Sequence, residues 1–427
     1  MNAADSETLS RRLLAEGYQE APLDDADIAV LNTCCVRQAS EEKVYSKLGE
    51  LRPWKARGER TIALTGCLGV KEGDRLTARF PQLDAVVPIG DYDGFIAGLS
   101  ERYDSSEGEP LPAVGRTGIS HYLSVIHGCN HNCTFCIVPR VRGRERSVRL
   151  AEVVDQARRA GADGAREVVL LGQNVDAYRD PESGGGLSAL VAEVARLASL
   201  RRVRFMTSHP RDLEPRLLEV MAESEVVCRE LQLPVQAGDD RLLKRMARGY
   251  RVGDYLAIVE RAREMMPDIG LATDVIVGFP GETAEMFENT RRLMEQVEFD
   301  VVHLAQYSPR PGTYAGDRLP DDVPPAEKRR RINELLAVQR AIAARKTRTW
   351  LGRQVEVLIE GEDELGRSYG RNRQGKRVVV KGARVPAGET AAVLVDQATS
   401  GHRAGRPAGG LAPGGGLNLR VLPTPAA

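Results

Sequence analysis

The 427-residue chain has no uncharged apolar run of the roughly 18 residues that a membrane-spanning helix needs. Its first residues, Met1-Asn2-Ala3-Ala4-Asp5, lack the basic-then-apolar order of a secretory signal. Both absences point to a cytoplasmic protein with no membrane partner. Net charge is absent too: Lys plus Arg number 60 and Asp plus Glu number 60, so no general field attracts nucleic acid. Any RNA contact must come from local patches. Nor is there a repeat of the array type, or an even set of cysteines for a disulfide framework. The seven cysteines, at 34, 35, 67, 129, 133, 136 and 228, suit metal ligation in a reducing compartment better.

What is present is enough apolar sequence, 42%, to build cores, in a chain long enough for two or three domains. Residues 1–100 read as a small α/β unit. Leu9, Leu13 and Leu14 follow Asp5 and Ser6 as in a capped amphipathic helix, and Ile28–Leu31 and Ile62–Leu64 read as buried parallel strands that run into Cys34 and Cys67. The Ser, Glu, Gly and Pro content of 101–118 predicts a linker. From 115 to 348, apolar runs at Leu123–Ile126, Glu167–Leu171, Val203–Met206, Leu231–Leu233, Asp274–Val277 and Val301–Leu304 alternate with helical segments. Six such repeats predict a partial parallel (β/α)6 barrel with its chemistry at the C-terminal strand ends.

Pro324 and Pro325 open a further helix bearing Ile332, Leu335, Leu336 and Ile342, with Gly352 just past its end. Its basic run, Lys328-Arg329-Arg330-Arg331 with Arg340, Arg345, Lys346 and Arg348, is either a solvated face or an RNA patch. From 349 to 423, strand-like Val355–Ile359, Arg377–Val380 and Ala392–Val395, set among Gly-rich turns, predict a small β-barrel, and the Gly- and Pro-rich stretch from about 403 is expected to be loose apart from Leu417–Leu422.

Cys129, Cys133 and Cys136 have the spacing C-x3-C-x2-C directly after the first barrel strand. Three thiolates on one short loop can hold three irons of a 4Fe-4S cluster and leave the fourth open to a cofactor. A zinc site completed by His127 or His131 is the alternative, although zinc ligands more often come as two paired knuckles. Polar groups at strand ends, Gln173, Asn174, Ser208, His209, Gln236 and Asp274, are candidates for holding that cofactor. Glu282, next to Thr283, is expected only to cap a helix.

The cysteine loop resembles the signature of radical S-adenosylmethionine (SAM) enzymes. Further stretches are similar to the methylthiotransferases among them: Asn32-Thr33-Cys34, Gly66-Cys67-Leu68, Gly128-Cys129-Asn130, Leu171-Gly172-Gln173-Asn174-Val175, Ser208-His209-Pro210, Leu233-Pro234-Val235-Gln236, Gly278-Phe279-Pro280-Gly281-Glu282 and Tyr307-Ser308-Pro309-Arg310. The resemblance spans nearly the whole chain and favours the branch acting on N6-dimethylallyladenosine in tRNA. Relatives acting on threonylcarbamoyladenosine, or on a ribosomal-protein aspartate, are the alternatives, and a noncatalytic metal-containing RNA-binding protein is a rival from another class.

The resemblance implies an N-terminal methylthiotransferase domain with a second 4Fe-4S cluster at Cys34 and Cys67, a radical SAM core, and a C-terminal TRAM domain whose basic residues, Arg371, Arg373, Lys376, Arg377, Lys381 and Arg384, face RNA. It implies that SAM binds the Cys129, Cys133 and Cys136 cluster, which cleaves it to a 5′-deoxyadenosyl radical. Also implied are the tRNA anticodon loop as substrate, an electron donor such as flavodoxin or ferredoxin, and a monomer. The family has three N-terminal cysteines, the first just ahead of a stretch matching Met1-Asn2, so a short preceding segment carrying a strand and that ligand is expected. Cys35 is the possible substitute, but neighbours in an extended run point opposite ways, so Cys35, like Cys228, is expected to be a core thiol.

Overall fold

The computed structural model describes residues 2–35, 38–103, 118–398 and 403–407. Most of the expected linker, and Leu417–Leu422, lie outside them, while Arg403–Pro407, expected to be loose, forms a strand. The described residues fall into two compact units. One holds the chain up to residue 103 with His127–Asn130 and Cys136–Glu145, and the other holds 118–126, His131–Phe135 and the rest from Arg146.

The first unit is built on three parallel strands, β1 (Ile28–Thr33), β2 (Thr61–Gly66) and β3 (Ala85–Val87), in the order β1-β2-β3. Every residue of the central β2 is buried, whereas Ile28 to Asn32 of β1 are half-buried, as expected for an edge. A cavity of about 840 Å³ lies beside that edge, lined by Leu9, Leu13, Tyr18, Ile28 and Val30 among others. The expected first helix forms over Asn2–Ala15. Ile62, Leu64, Leu48, Trp54, Leu68 and Leu76 make the core, joined by Ile137 and Val141 from the turn of helix after the cysteine loop.

The second unit contains six parallel strands: β4 (Ser120–Ser124), β5 (Glu167–Leu171), β6 (Arg202–Phe205), β7 (Glu230–Gln232), β8 (Gly270–Val277) and β9 (Val301–Gln306). They adjoin in sequence order, with β6 and β7 joined not by a ladder but by the nearby bridge Val203 to Val227 and by the Ser208 N–H donating to the Gln232 carbonyl, among other contacts. β5 is buried throughout, which explains its near-continuous apolar run, whereas β6 alternates Arg202-Val203-Arg204-Phe205 and is still buried throughout because both arginines meet carboxylates. The partial barrel expected from the apolar runs is present, with β4, β6, β7 and β8 starting one to four residues earlier than those runs. Such offsets arise because the first residues of these strands, Ser120, Arg202, Glu230 and Gly270, are polar or small.

The helix Pro325–Arg348 leads into a closed barrel of β10 (Gln354–Glu362), β11 (Ser368–Arg371), β12 (Arg377–Val380), β13 (Thr390–Ala398) and β14 (Arg403–Pro407). Alternate residues Val355, Val357, Ile359, Val378, Val380, Val393 and Val395 fill its interior. The β11–β12 turn docks on the N-terminal ends of the six strands. Arg204 donates to the Asn372 carbonyl and to Glu167 and Glu230, Arg373 donates to the carbonyls of Ser224 and Val227, and Lys376 pairs with Asp300 at 3.1 Å.

This divides the expected basic RNA face of the last domain, taking Arg371, Arg373 and Lys376 into the junction and leaving Arg384 largely exposed. Arg371 pairs with Glu360 at 2.5 Å, Lys381 with Asp396 at 3.1 Å and Arg384 with Glu362 at 2.9 Å, while Arg377 lies over the Tyr369 ring. Of the six cations, Arg371, Arg373 and Lys376 serve the junction between the two barrels. The run on the helix is also divided. Lys328 and Arg331 are buried against Asp321 and Glu282, while Arg329, Arg340 and Arg348 are exposed. No described helix is long and apolar enough to cross a membrane.

Candidate active site

Glycine precedes a cysteine at both thiol sites for a steric reason. Gly66 and Gly128 have φ of +96° and +79°, and a Cβ would run into the carbonyls of Thr33 and Arg144 respectively. Cys67 thereby opens a helix directly at the end of β2. Cys129 follows with its N–H on the Gly143 carbonyl at 3.2 Å, and the Asn130 N–H donates to Glu145 at 2.9 Å. Cys129 and Cys136 group with the N-terminal unit and Cys133 with the strand array, so the chain passes between the two units within this loop.

In the N-terminal unit, Cys67 is buried and accepts from Arg142 Nε at 3.2 Å, while Arg142 is also paired with Asp5 at 2.7 Å. The thiol of Cys35 donates to Cys67 and, with help from Arg142, lowers its pKa to about 6. The same hydrogen bond and burial push Cys35 upward. Cys35 is fully buried, as expected of a core thiol, yet it sits against Cys67, whereas Cys34 is half-buried. Alternation misjudged this point because β1 ends at Thr33, so the period of two no longer governs Cys34 and Cys35. Cys228 is a core thiol, and burial raises its pKa.

In the strand array, Cys133 accepts from Arg248 Nη1 at 3.3 Å. His131 holds Asp212 through Nε2 at 2.5 Å and stacks on His209 with ring centroids 4.0 Å apart. The ligand-type atoms of His131, His209 and Asp212 lie within 4.8 Å of one another. Asp212 also accepts from Asn174 Nδ2 at 2.6 Å. Burial first, then the Arg248 charge, drives His209 down to about 2, so its imidazole is neutral. Asp176, wholly enclosed, accepts from the His209 N–H at 2.8 Å and from Ser208 Oγ at 3.3 Å, and its burial raises it to about 7.

Gln232 ties the next strand ends together: the Thr207 N–H donates to its Oε1 at 3.2 Å, and its Nε2 reaches Asp274 at 3.5 Å. The Gln236 N–H donates to the Asp274 carbonyl at 2.8 Å. Asn174, Ser208, Gln236 and Asp274 therefore lie on two connected hydrogen-bond networks at the strand ends, and Gln173 is half-buried beside Asn174 in sequence. Thr207 and Gln236 have φ of +74° and +70°, conformations that cost roughly 1–3 kcal/mol each for side-chain-bearing residues and tend to persist at functional sites. Glu282 accepts from the Gly278 N–H and from Arg331, while Thr283 caps the following helix by accepting from the Met286 N–H at 3.2 Å. Sequence reasoning missed Asp176, Asp212, Gln232 and Arg248, none of which lies in a chemical motif.

Comparison with known proteins now decides the family. The profile of the Radical SAM superfamily matches residues 123–294, that of Uncharacterized protein family UPF0004 matches 1–88, and that of the TRAM domain matches 348–405. A tRNA-2-methylthio-N6-dimethylallyladenosine synthase from Thermotoga petrophila is 36% identical over 95% of this chain and 94% of its own length. One from Carboxydothermus hydrogenoformans is 38% identical over 95% of this chain and 96% of its own. The chain belongs to the methylthiotransferase family of radical SAM enzymes. Among solved structures, the radical SAM methyltransferase TsrM of Kitasatospora setae, with cobalamin and a 4Fe-4S cluster bound, matches with a TM-score of 0.51 at 16% identity, over 74% of this chain and 69% of that one. That likeness concerns the fold alone.

Membership of this family implies a 4Fe-4S cluster and SAM, and the donor chemistry fits them: the thiols of Cys129, Cys133 and Cys136, outside any disulfide, suit the cluster, and polar atoms at the strand ends suit SAM. Asn174 Oδ1, His209 Nε2 and Gln236 Oε1 are buried with no hydrogen-bond partner among the described residues, at the strand ends where a polar cofactor would lie. Leaving a buried polar atom unsatisfied costs about 1–3 kcal/mol, so a polar occupant of this end has three such debts to relieve.

Proposed function

We propose that the chain transfers a methylthio group to carbon 2 of N6-dimethylallyladenosine beside the anticodon of tRNA. The observation that carries this reading is the C-x3-C-x2-C loop leaving the first of six parallel strands, in a chain whose synthase relatives match it over almost its full length. Cys129, Cys133 and Cys136 would hold the radical-generating cluster, and Asn174, Ser208, Gln236 and Asp274, with Gln173, would hold SAM. Together the cluster and SAM supply a radical able to take hydrogen from an unactivated C–H bond, which acid–base chemistry cannot do.

The chain's own contribution is placement. Gln232 locks the ends of β6 and β8 in register, and Asp176 fixes the Ser208-His209 turn so that His209 presents a neutral imidazole and an unpaired Nε2. Such preset polar groups spend no reorganisation energy when the cofactor arrives. Cys67, drawn toward the thiolate by Cys35 and Arg142, and Cys34 would hold the second cluster, where the sulfur to be transferred resides. The adenine must leave its stack to react, and a single-stranded anticodon loop yields a base more cheaply than a duplex does. A flavodoxin- or ferredoxin-type donor and a monomeric state complete the proposal.

The test is anaerobic incubation of the cluster-loaded protein with SAM, dithionite and tRNA bearing N6-dimethylallyladenosine. Release of 5′-deoxyadenosine together with the 2-methylthio nucleoside, read by mass analysis, is expected. A fully loaded protein that releases no 5′-deoxyadenosine would refute the radical reading. Release without the tRNA product, but with a modified threonylcarbamoyladenosine or ribosomal protein, would move the substrate to another branch.

A further inference from the structure

We infer that Arg248 is a positioning residue for the cluster on the 129–136 loop, gripping Cys133 and favouring the reduced state by supplying a buried positive charge that no carboxylate among the described residues neutralises. The inference rests on the proposed role of Cys133 as a ligand. Six cationic side chains are buried among the described residues: Arg142, Arg202, Arg204, Arg248, Lys328 and Arg331. Five of them meet a carboxylate: Arg142 with Asp5, Arg202 with Glu356, Arg204 with Glu167 and Glu230, Lys328 with Asp321, and Arg331 with Glu282 and Glu327. Arg248, only 5% exposed, has Cys133 Sγ at 3.3 Å, the Pro234 carbonyl at 3.0 Å and Tyr250 Oη at 3.4 Å.

A buried guanidinium with no counter-charge is costly, and evolution of a folded chain rarely leaves one unless something negative belongs beside it. A thiolate-ligated cluster is such a group, because three cysteinate ligands give it net negative charge that grows on reduction. Hydrogen bonds to the sulfurs and nearby positive charge raise the potential of a cluster. Arg248 is also placed to link two things that must keep their spacing. One prong holds the Cys133 sulfur, and another holds the turn carrying Gln236, whose buried Oε1 has no partner among the described residues. The Tyr250 hydroxyl steadies the same turn by donating to the Val235 carbonyl at 2.6 Å.

The experiment uses the full chain carrying Cys34→Ala and Cys67→Ala, so that the remaining iron signal belongs to the 129–136 loop. Arg248, Arg248→Lys and Arg248→Met forms are reconstituted anaerobically and titrated redox-wise with EPR detection, without SAM. Replacement by Met is expected to disfavour the reduced cluster by about tenfold, a midpoint ~59 mV more negative for one electron, with Lys in between. Equal midpoints in all three forms overturn the inference and leave the radical SAM reading intact. A parent chain that takes up no cluster overturns both. Thermal unfolding of the cluster-free forms gives the second readout: Arg248→Met is expected to be at least as stable as its parent, since the charge it removes is uncompensated there. A cluster-free Met form that melts well below the parent would mark Arg248 as a structural strut and end the inference.

Discussion

At the N-terminal ends of the six strands, Arg202 and Arg204 are buried against Glu356, Glu167 and Glu230, and the β11–β12 turn covers them with the backbone carbonyls of Arg371 and Asn372. At the C-terminal ends, Arg248 is buried as deeply but faces a thiol, a hydroxyl and a carbonyl, and Asn174, His209 and Gln236 each keep a buried polar atom without a partner. Buried polar atoms without a partner occur at both ends, for Arg202 Nε, Asn372 Nδ2 and Arg373 Nε lack one at the first. The contrast lies in charge: there the buried arginines meet carboxylates, whereas among the described residues Arg248 meets none.

The comparison breaks most visibly at Cys133. Cys133→Ala should bring 5′-deoxyadenosine release to background and cut the iron content, while cluster-free stability, followed by urea unfolding, stays close to the parent. At the opposite end, Glu167→Ala strands Arg204 without its most buried partner. Breaking such a pair should lower the unfolding free energy by about 3–5 kcal/mol, with iron per folded chain unchanged. An equal loss of stability at both positions would erase the distinction between the ends.

A finer probe is Gln236→Gly, which relieves the positive φ and removes the unpaired amide. SAM binding by calorimetry should weaken about tenfold, the order expected for one lost hydrogen bond, while thermal stability holds or rises. The smallest effect expected is a pH slope. Asp176 is raised to about 7 by burial, so the folded chain keeps its proton while the unfolded chain ionises near the ordinary aspartate value. Stability should therefore fall as pH rises from about 4 to about 7 and level off above that, and Asp176→Asn should flatten this segment. Unfolding midpoints measured across that range check it.

Much of this architecture was legible in the sequence because it depends on local pattern. The buried strands betray themselves as apolar runs such as Val168 to Leu171, and the cysteine loop by its spacing. Arg248 was not legible, since its partner Cys133 is 115 positions away and only the closing of the strand array brings them together. Arg373 and Lys376 misled for a related reason: a list of charges does not show that the Ser224 and Val227 carbonyls and Asp300 stand opposite them. Cys35 misled because strand alternation was carried two residues past the end of β1. Candidates such as Ser208 and Gln236 could be picked as polar residues at strand ends, but the left-handed backbone at Gln236 carries no sequence signature when the residue is not glycine.

The central claim, that Cys129, Cys133 and Cys136 leave one iron open for SAM, is tested most directly by Mössbauer spectroscopy of the Cys34→Ala, Cys67→Ala chain loaded with 57Fe. One iron of four should be distinct from the rest and should change its isomer shift when SAM is added. Four equivalent irons indifferent to SAM, or no iron and a tetrahedral zinc in their place, would contradict it.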